Sequence, residues 1–295
     1  MSTSLRPSRE REDIPLNLYR VKSPGIARVV ANERLTPPGH DDVRHIVLDL
    51  SGLDFRFLEG QSLGVLAPGV EHGHAPRLRL YSIASARRGD DGRGTTVSLC
   101  VKRVVYNEPG TGEEHRGIAS NYLCDLKPGD EVAVTGPAGK LLLLPDDPSA
   151  HLILVATGTG IAPFRAFLHR IYHDQPAWTG SITLFFGVRT EAECLYRDEI
   201  DSFLSRPNFR RIYAFSREQT TAEGQRMYVQ HRMAEGLDEL RTLLARDDAY
   251  LYICGLRGME GGIESVLCGP SSTDGACSLS FEALKHAGRL FIETY

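Results

Sequence analysis

His151-Leu152-Ile153-Leu154-Val155-Ala156-Thr157-Gly158-Thr159-Gly160-Ile161-Ala162-Pro163 joins an apolar run to a turn of small residues and a proline. His151–Ala156 has the make-up of a buried strand. Beyond the turn, Phe164, Phe167, Leu168 and Ile171 recur at i, i+3, i+4 and i+7, one apolar face of a helix. Small residues let a backbone approach a phosphate closely, and Pro163 suits a first helical turn. The stretch is not Gly-x-Gly-x-x-Gly, because Pro163 occupies the third glycine position. Strand, glycine-rich turn and helix at the head of a domain still favour a nucleotide site over a bare connection.

Downstream the alternation continues. Ser181–Gly187 reads as a strand, Glu191–Leu204 as a helix and Arg210–Phe215 as a strand; Met233, Leu237, Leu240 and Leu244 mark one further helix, and Ala249–Cys254 another strand. This order predicts a doubly wound parallel sheet. Upstream the chain reads as short strands between turns: Ile26–Glu33, Arg44–Leu50, Ser62–Leu66, Arg79–Ala84, Thr95–Val105 and Glu131–Thr135, with one short helix at Ser120–Leu126. That pattern predicts an antiparallel barrel or sandwich, with a six-stranded antiparallel β-barrel the expectation adopted. The fold class is therefore β plus α/β in two domains, 16–145 and 149–295, after a loosely attached arm at 1–15.

A chain of 295 residues, 41% hydrophobic and 24% charged, has the composition of a soluble protein, with no run of about 18 apolar residues for a membrane span. Met1–Pro15 is polar and lacks the apolar core of a signal peptide, so a cytoplasmic location is expected. The net charge of −4 argues against nucleic acid as a partner. Of 34 Lys and Arg and 38 Asp and Glu, 19 and 18 lie at or before Pro145, leaving 15 against 20 beyond it. The first half is the one suited to an acidic protein. Six scattered cysteines form no Cys-x-x-Cys pair, which points to reduced thiols, no metal site and no disulfide framework; redox chemistry would fall to an organic cofactor.

Five segments bear on chemistry. In Arg79-Leu80-Tyr81-Ser82 an Arg offers a fork for a pyrophosphate, a Tyr a flat face and a Ser a hydrogen bond, although an ordinary barrel strand accounts for the same residues. Gly117-Ile118-Ala119-Ser120 at a helix start presents backbone N–H groups to an anion, or is a plain cap. After Arg210–Phe215 come Ser216-Arg217 and then Arg226-Met227-Tyr228. A site for NAD tends to place a carboxylate there, whereas two arginines suit a 2′-phosphate; solvated surface charge is the plainer alternative. Cys254-Gly255-Leu256 ends the last parallel strand, and Leu290–Tyr295 closes the sequence in strand-like residues.

Taken together, Arg79–Ser85, Ser98–Tyr106, Gly117–Leu126 with Lys127-Pro128-Gly129, Gly158–Phe164, Ser216–Gln219, Met227–Gln230, Cys254–Glu260 and Glu293-Thr294-Tyr295 resemble, in order, plant-type ferredoxin–NADP(+) reductases. The resemblance implies an oxidoreductase that passes electrons between NADP(H) and ferredoxin or flavodoxin through FAD, acting as a monomer. It implies that Arg79 and Ser120 hold the FAD pyrophosphate, Tyr81 and Tyr295 cover the two flavin faces, and Tyr106 lies by the adenine. It puts Ser82, Cys254 and Glu293 around the flavin N5 and nicotinamide. Thr159, Ser216, Arg217, Arg226, Tyr228 and Gln230 fall on NADP positions and Lys102 on one near the nucleotide phosphates. Leu80, Cys100, Val101, Gly117, Ile118, Ala119, Gly255, Leu256 and Glu260 complete the cofactor-lining positions.

The chain departs from the family's pattern at Ala156, Ala119 and Arg226, and matches poorly over Cys268–Ala287. Some of Arg87, Arg88, Arg93 and Arg103, in or beside loops of the less negative half, are expected to face the acidic carrier. A reductase component of an oxygenase shares this chemistry. A non-catalytic flavin-binding subunit would need none of Ser82, Cys254 and Glu293, and an NADH-linked reductase is disfavoured by Ser216, Arg217 and Arg226.

Overall fold

The computed structural model describes residues 14–68, 77–174, 177–269 and 277–295. Most of the expected arm, residues 1–13, and the middle of the poorly matching segment, 270–276, lie outside the described residues. Contacts divide the described chain into two compact units, residues 14–140 with Arg165–Arg170, and Leu141–Phe164 with Ile171–Tyr295.

The first unit is a six-stranded antiparallel sheet. Its strands are β1 (Gly25–Arg34), β2 (Val43–Asp49), β3 (Ser62–Ala67), β4 (Arg77–Ser82), β5 (Thr96–Lys102) and β8 (Glu131–Ala138), in the order β4-β3-β8-β1-β2-β5. The two edges meet just past β4, where Ile83 bridges Leu99 and Ala84 N–H donates to Ser98 O at 2.7 Å. The sheet is thereby closed into the expected barrel, which removes its open edges. Alternation in β1 buries Ala27 and Val29, which join Ile46, Leu48, Leu63, Val65, Val97, Leu99, Val132 and Val134 in one core. Cys100 is buried like Leu99 and Val101, so β5 is covered on both faces. One expectation fails in detail: the strand drawn to Val105 stops at Lys102. Val105 belongs instead to a separate hairpin, β6 (Val105–Asn107) against β7 (Glu114–Arg116), which leads into helix α1 (Ile118–Asp125).

Partly buried ion pairs tie the loops to the barrel. Glu59, almost fully buried, receives the guanidinium of Arg87 at 2.6 Å and the Arg87 backbone N–H at 2.8 Å. Asp42 takes Arg103 at 2.8 Å and Arg44 at 3.0 Å. Asp90 sits in an exposed loop but turns its carboxylate inward, to His45 at 2.9 Å, to the Ser98 hydroxyl, and to Arg165 at 2.8 Å. Burial opposes ionisation of Asp90, yet the His45 bond, the Arg165 charge and the Ser98 bond outweigh it and hold the carboxyl well below the usual carboxylate range.

The second unit is a parallel sheet of β9 (His151–Thr157), β10 (Ile182–Val188), β11 (Phe209–Phe215), β12 (Ala249–Gly255) and β13 (Leu290–Thr294), ordered β11-β10-β9-β12-β13. β9, β10 and β12 are buried along almost their whole length, the mark of strands covered on both faces. Helix α2 (Ala162–His169) follows β9, as its apolar spacing predicts.

Two expected helices are broken. Glu191–Leu204 is a 3₁₀ turn at Glu191–Glu193, helix α3 (Arg197–Ser202) and another 3₁₀ turn, separated at Tyr196, which adopts φ +56°. The single helix drawn through Met233 and Leu244 is α4 (Val229–Glu235) and α5 (Leu237–Leu244), interrupted at Gly236. Helices α6 (Met259–Cys268) and α7 (Phe281–His286) were not anticipated. Cys268 and Cys277 are joined in a disulfide, which corrects the expectation that all six cysteines are reduced; Cys100, Cys124, Cys194 and Cys254 stay outside any disulfide. No helix among the described residues is long and apolar enough to cross a membrane.

Candidate functional site

On the barrel unit, β4 turns Arg79 and Leu80 outward and leaves Tyr81 and Ser82 half-buried. Burial is the main reason the Tyr81 phenol is pushed up to about 12, so at ordinary pH it is a neutral ring with a hydroxyl donor. Lys102, at the end of β5, is paired with Asp41 at 2.5 Å rather than pointing clear of the protein. Tyr106 is exposed on β6 and stacks on His115, with ring centroids 5.4 Å apart.

Helix α1 begins after Gly117 with no side-chain cap and no acidic residue in its first turn, so backbone N–H groups are presented at its start. Ser120 accepts from Val104 N–H at 3.2 Å and donates to Gly117 O at 3.3 Å, so its hydroxyl is engaged locally. Asn121, which the sequence reading missed, braces this corner. Its amide donates to Val104 O and Gly117 O, both at 2.8 Å, and its carbonyl receives Arg116 at 2.9 Å. Uncapped N–H groups flanked by the Arg116 guanidinium, with an exposed apolar Leu80 and a half-buried Tyr81 ring on β4, are a donor set that fits an aromatic dinucleotide such as FAD.

In the α/β unit the glycine-rich turn is itself a 3₁₀ segment, Gly158–Ile161, opened by Gly158 at φ +54°. A Cβ at Gly160 would stand 2.1 Å from Cys254 O, so only glycine lets this turn pass the end of β12. Thr157 fastens the same junction by accepting from Leu256 N–H at 2.9 Å.

Cys254 is fully buried. Burial first, and the Glu293 charge second, push its thiol far up, so it stays protonated and acts by bulk and polarity. Glu293 lies opposite Cys254 in the β12–β13 register, and Thr294 opposite Gly255. Glu260, at the start of α6, accepts from Thr294 Oγ1 at 2.5 Å and from Gly258 N–H at 2.7 Å. Tyr295 is tied down at both ends. Its N–H donates to Gly255 O at 3.0 Å, and its hydroxyl lies 2.6 Å from Thr159 Oγ1.

The structure thus gathers Thr159, Cys254, Gly255, Leu256, Glu260, Glu293 and Tyr295 at the carboxyl ends of β9, β12 and β13. Ser216, Arg217, Arg226, Tyr228 and Gln230 collect separately beyond β11, with Arg217, Arg226 and Tyr228 exposed. Of the four arginines among which carrier-facing charges are expected, Arg87 and Arg103 pair with Glu59 and Asp42, and Arg88 and Arg93 are exposed. Glu108, Glu113 and His115 bring donor atoms within 4.8 Å of one another at the hairpin surface, an arrangement exposed acidic groups adopt without a metal.

Residues 38–142 match the model of the oxidoreductase FAD-binding domain, and residues 154–265 that of the oxidoreductase NAD-binding domain. A ferredoxin–NADP reductase of Thermosynechococcus vestitus is 46% identical over 299 residues, covering 98% of this chain and 78% of the relative. One from Spirulina sp. is 45% identical, with 97% and 100% covered, and the chloroplastic leaf isozyme 1 of Oryza sativa subsp. indica is 46% identical, with 90% and 74% covered. Among solved structures, the ferredoxin–NADP+ reductase of Plasmodium falciparum superposes with a TM-score of 0.75 at 28% identity, covering 95% of this chain and 100% of that one. A structure of the same Plasmodium enzyme with 2′P-AMP superposes equally well, at 27% identity with 95% and 99% covered. With both domain models matched and the relatedness running nearly end to end, the chain belongs to the ferredoxin–NADP reductase family of FAD- and NADP-binding oxidoreductases.

Proposed function

We propose that the chain moves electrons between NADP(H) and a one-electron protein carrier, ferredoxin or flavodoxin. Bound FAD supplies the exchange between the two-electron chemistry of a nicotinamide and the one-electron chemistry of the carrier. Arg79 and the N–H groups at the start of α1 hold its pyrophosphate, while Tyr81, Leu80 and Tyr106 offer flat or apolar surface to its rings. Ser82, Cys254, Glu293 and Tyr295 are assigned to hydride transfer. The neutral bulk of Cys254 limits the approach of the nicotinamide, and Glu293 beside it orders the polar end of the site. Thr159 and the Gly158–Ile161 turn receive the nucleotide backbone. Ser216, Arg217, Arg226, Tyr228 and Gln230 take the adenosine with its 2′-phosphate.

The observation that carries the reading is the exposed pair Arg217 and Arg226 beyond β11, in a chain 43–46% identical to ferredoxin–NADP reductases. A monomer in the cytoplasm is part of the same proposal. Sedimentation would check the subunit count. The test of function is direct. Purified protein should release FAD on denaturation and reduce ferredoxin with NADPH; release of FMN, or failure to reduce either carrier, would overturn the reading.

A further inference from the structure

Arg217 and Arg226, assigned above to a 2′-phosphate, come from two different stretches of the chain. Ser216-Arg217 forms a turn after β11, whereas Arg226 and Tyr228 end a loop nine residues on. Gln219 joins both. Its N–H donates to Phe215 O at 2.8 Å, and its side-chain Oε1 accepts the Phe215 N–H at 2.9 Å, closing the turn that displays Ser216 and Arg217. Its own carbonyl accepts the Met227 N–H at 3.0 Å, fixing the residue between Arg226 and Tyr228, and Thr220 next to it bridges Arg226.

A second residue holds Gln219. Arg232, on α4, donates to Gln219 Oε1 at 3.0 Å and to Tyr213 O at 3.1 Å, and pairs with Glu235 at 2.8 Å. It therefore clamps the helix that follows Tyr228 to the strand that precedes Ser216. Phe215 is on an edge strand, so without Gln219 its outward N–H would turn to water and the turn would lose its brace.

We infer that Gln219, held by Arg232, is a positioning residue that sets how strongly this chain prefers a 2′-phosphorylated nucleotide. A phosphate recognised by two guanidinium groups needs both within hydrogen-bond reach at once, and a floating pair loses part of that advantage to ordering. The inference rests on the reading of Arg217 and Arg226 as 2′-phosphate ligands.

The experiment is calorimetric titration of the holoenzyme with 2′-phospho-AMP and with 5′-AMP, which needs no turnover. Gln219→Met and Arg232→Met should each weaken 2′-phospho-AMP roughly two- to tenfold and leave 5′-AMP in place. The double variant should lose less than the sum of the two single ones, because the two side chains share one hydrogen bond. NADPH-to-NADH kcat/KM ratios should fall by the same factor. Arg217→Ala is the reference. If it too leaves the 2′-phospho-AMP affinity unchanged, the phosphate reading itself fails. If Arg217→Ala weakens 2′-phospho-AMP while both methionine variants bind it like the parent, or weaken both ligands alike, the positioning role is overturned.

Discussion

The two units use charge in opposite ways. In the barrel unit the arginines that matter to the fold are turned inward: Arg87 to Glu59, Arg103 to Asp42, Arg165 to Asp90. In the α/β unit the sheet is held by apolar strands, and Arg217 and Arg226 stand exposed at its carboxyl edge. An inward charge pair costs stability when one partner is removed, because the other is left desolvated. On the reading proposed above, removing an outward charge costs a ligand instead.

The sharpest break of this contrast is Asp90→Asn. Removing the charge that faces Arg165 and His45 is expected to destabilise the protein by about 3 kcal/mol, read by urea unfolding. The sign with pH follows from the depressed carboxyl. Its stabilisation is full above the ordinary Asp value of about 4 and fades as pH falls through and below it, so variant and parent should converge in acid. A pH-independent difference would mean that packing, not charge, is what Asp90 contributes.

Replacing Arg217 and Arg226 by alanine should do the reverse. Each charge-assisted contact contributes roughly 1.5–3 kcal/mol, so KM for NADPH should rise about ten- to a hundredfold per residue. KM for NADH and the unfolding midpoint should hold steady. Equal losses with both nucleotides would return the two arginines to ordinary surface charge.

Gly160→Ala probes the close approach of turn and strand. The added Cβ falls against the Cys254 carbonyl, and the shift it forces should cost about 1–3 kcal/mol, much of it in NADP(+) binding. Unchanged affinity in the folded variant would show that the turn does not meet the nucleotide. The smallest effect belongs to Tyr295→Ser. A nucleotide entering at the glycine-rich turn must part Tyr295 from Thr159, a cost of about 0.5–1.5 kcal/mol that weakly held NADH feels most. The variant should use NADH better relative to NADPH; an unmoved kcat/KM ratio removes Tyr295 from the gate.

Legibility in the sequence follows the same divide. The strand-end motifs are short and local: Gly158–Pro163, Ser216-Arg217 and Cys254-Gly255 can be read because a parallel sheet brings strand ends together wherever they occur. The barrel's strands were visible as alternation and turns. Its ion pairs were not, since nothing in the spacing of Asp42 and Arg103, or of Asp90 and Arg165, marks them as partners. Arg87 and Arg103 could therefore not be told in the sequence from the exposed Arg88 and Arg93. Asn121 escaped notice because an amide at helical position 121 carries no signal until Val104 and Arg116 arrive beside it. Helices α6 and α7 were missed where glycines and a disulfide interrupt the apolar period.

The most direct measurement is stopped-flow absorbance of the purified yellow protein mixed with NADPH, then with oxidised ferredoxin. The account predicts rapid loss of the flavin absorbance with NADPH, much slower loss with NADH at equal concentration, and its recovery as ferredoxin is reduced. Equal rates with the two nucleotides, or reduced flavin that ferredoxin cannot reoxidise, would contradict it.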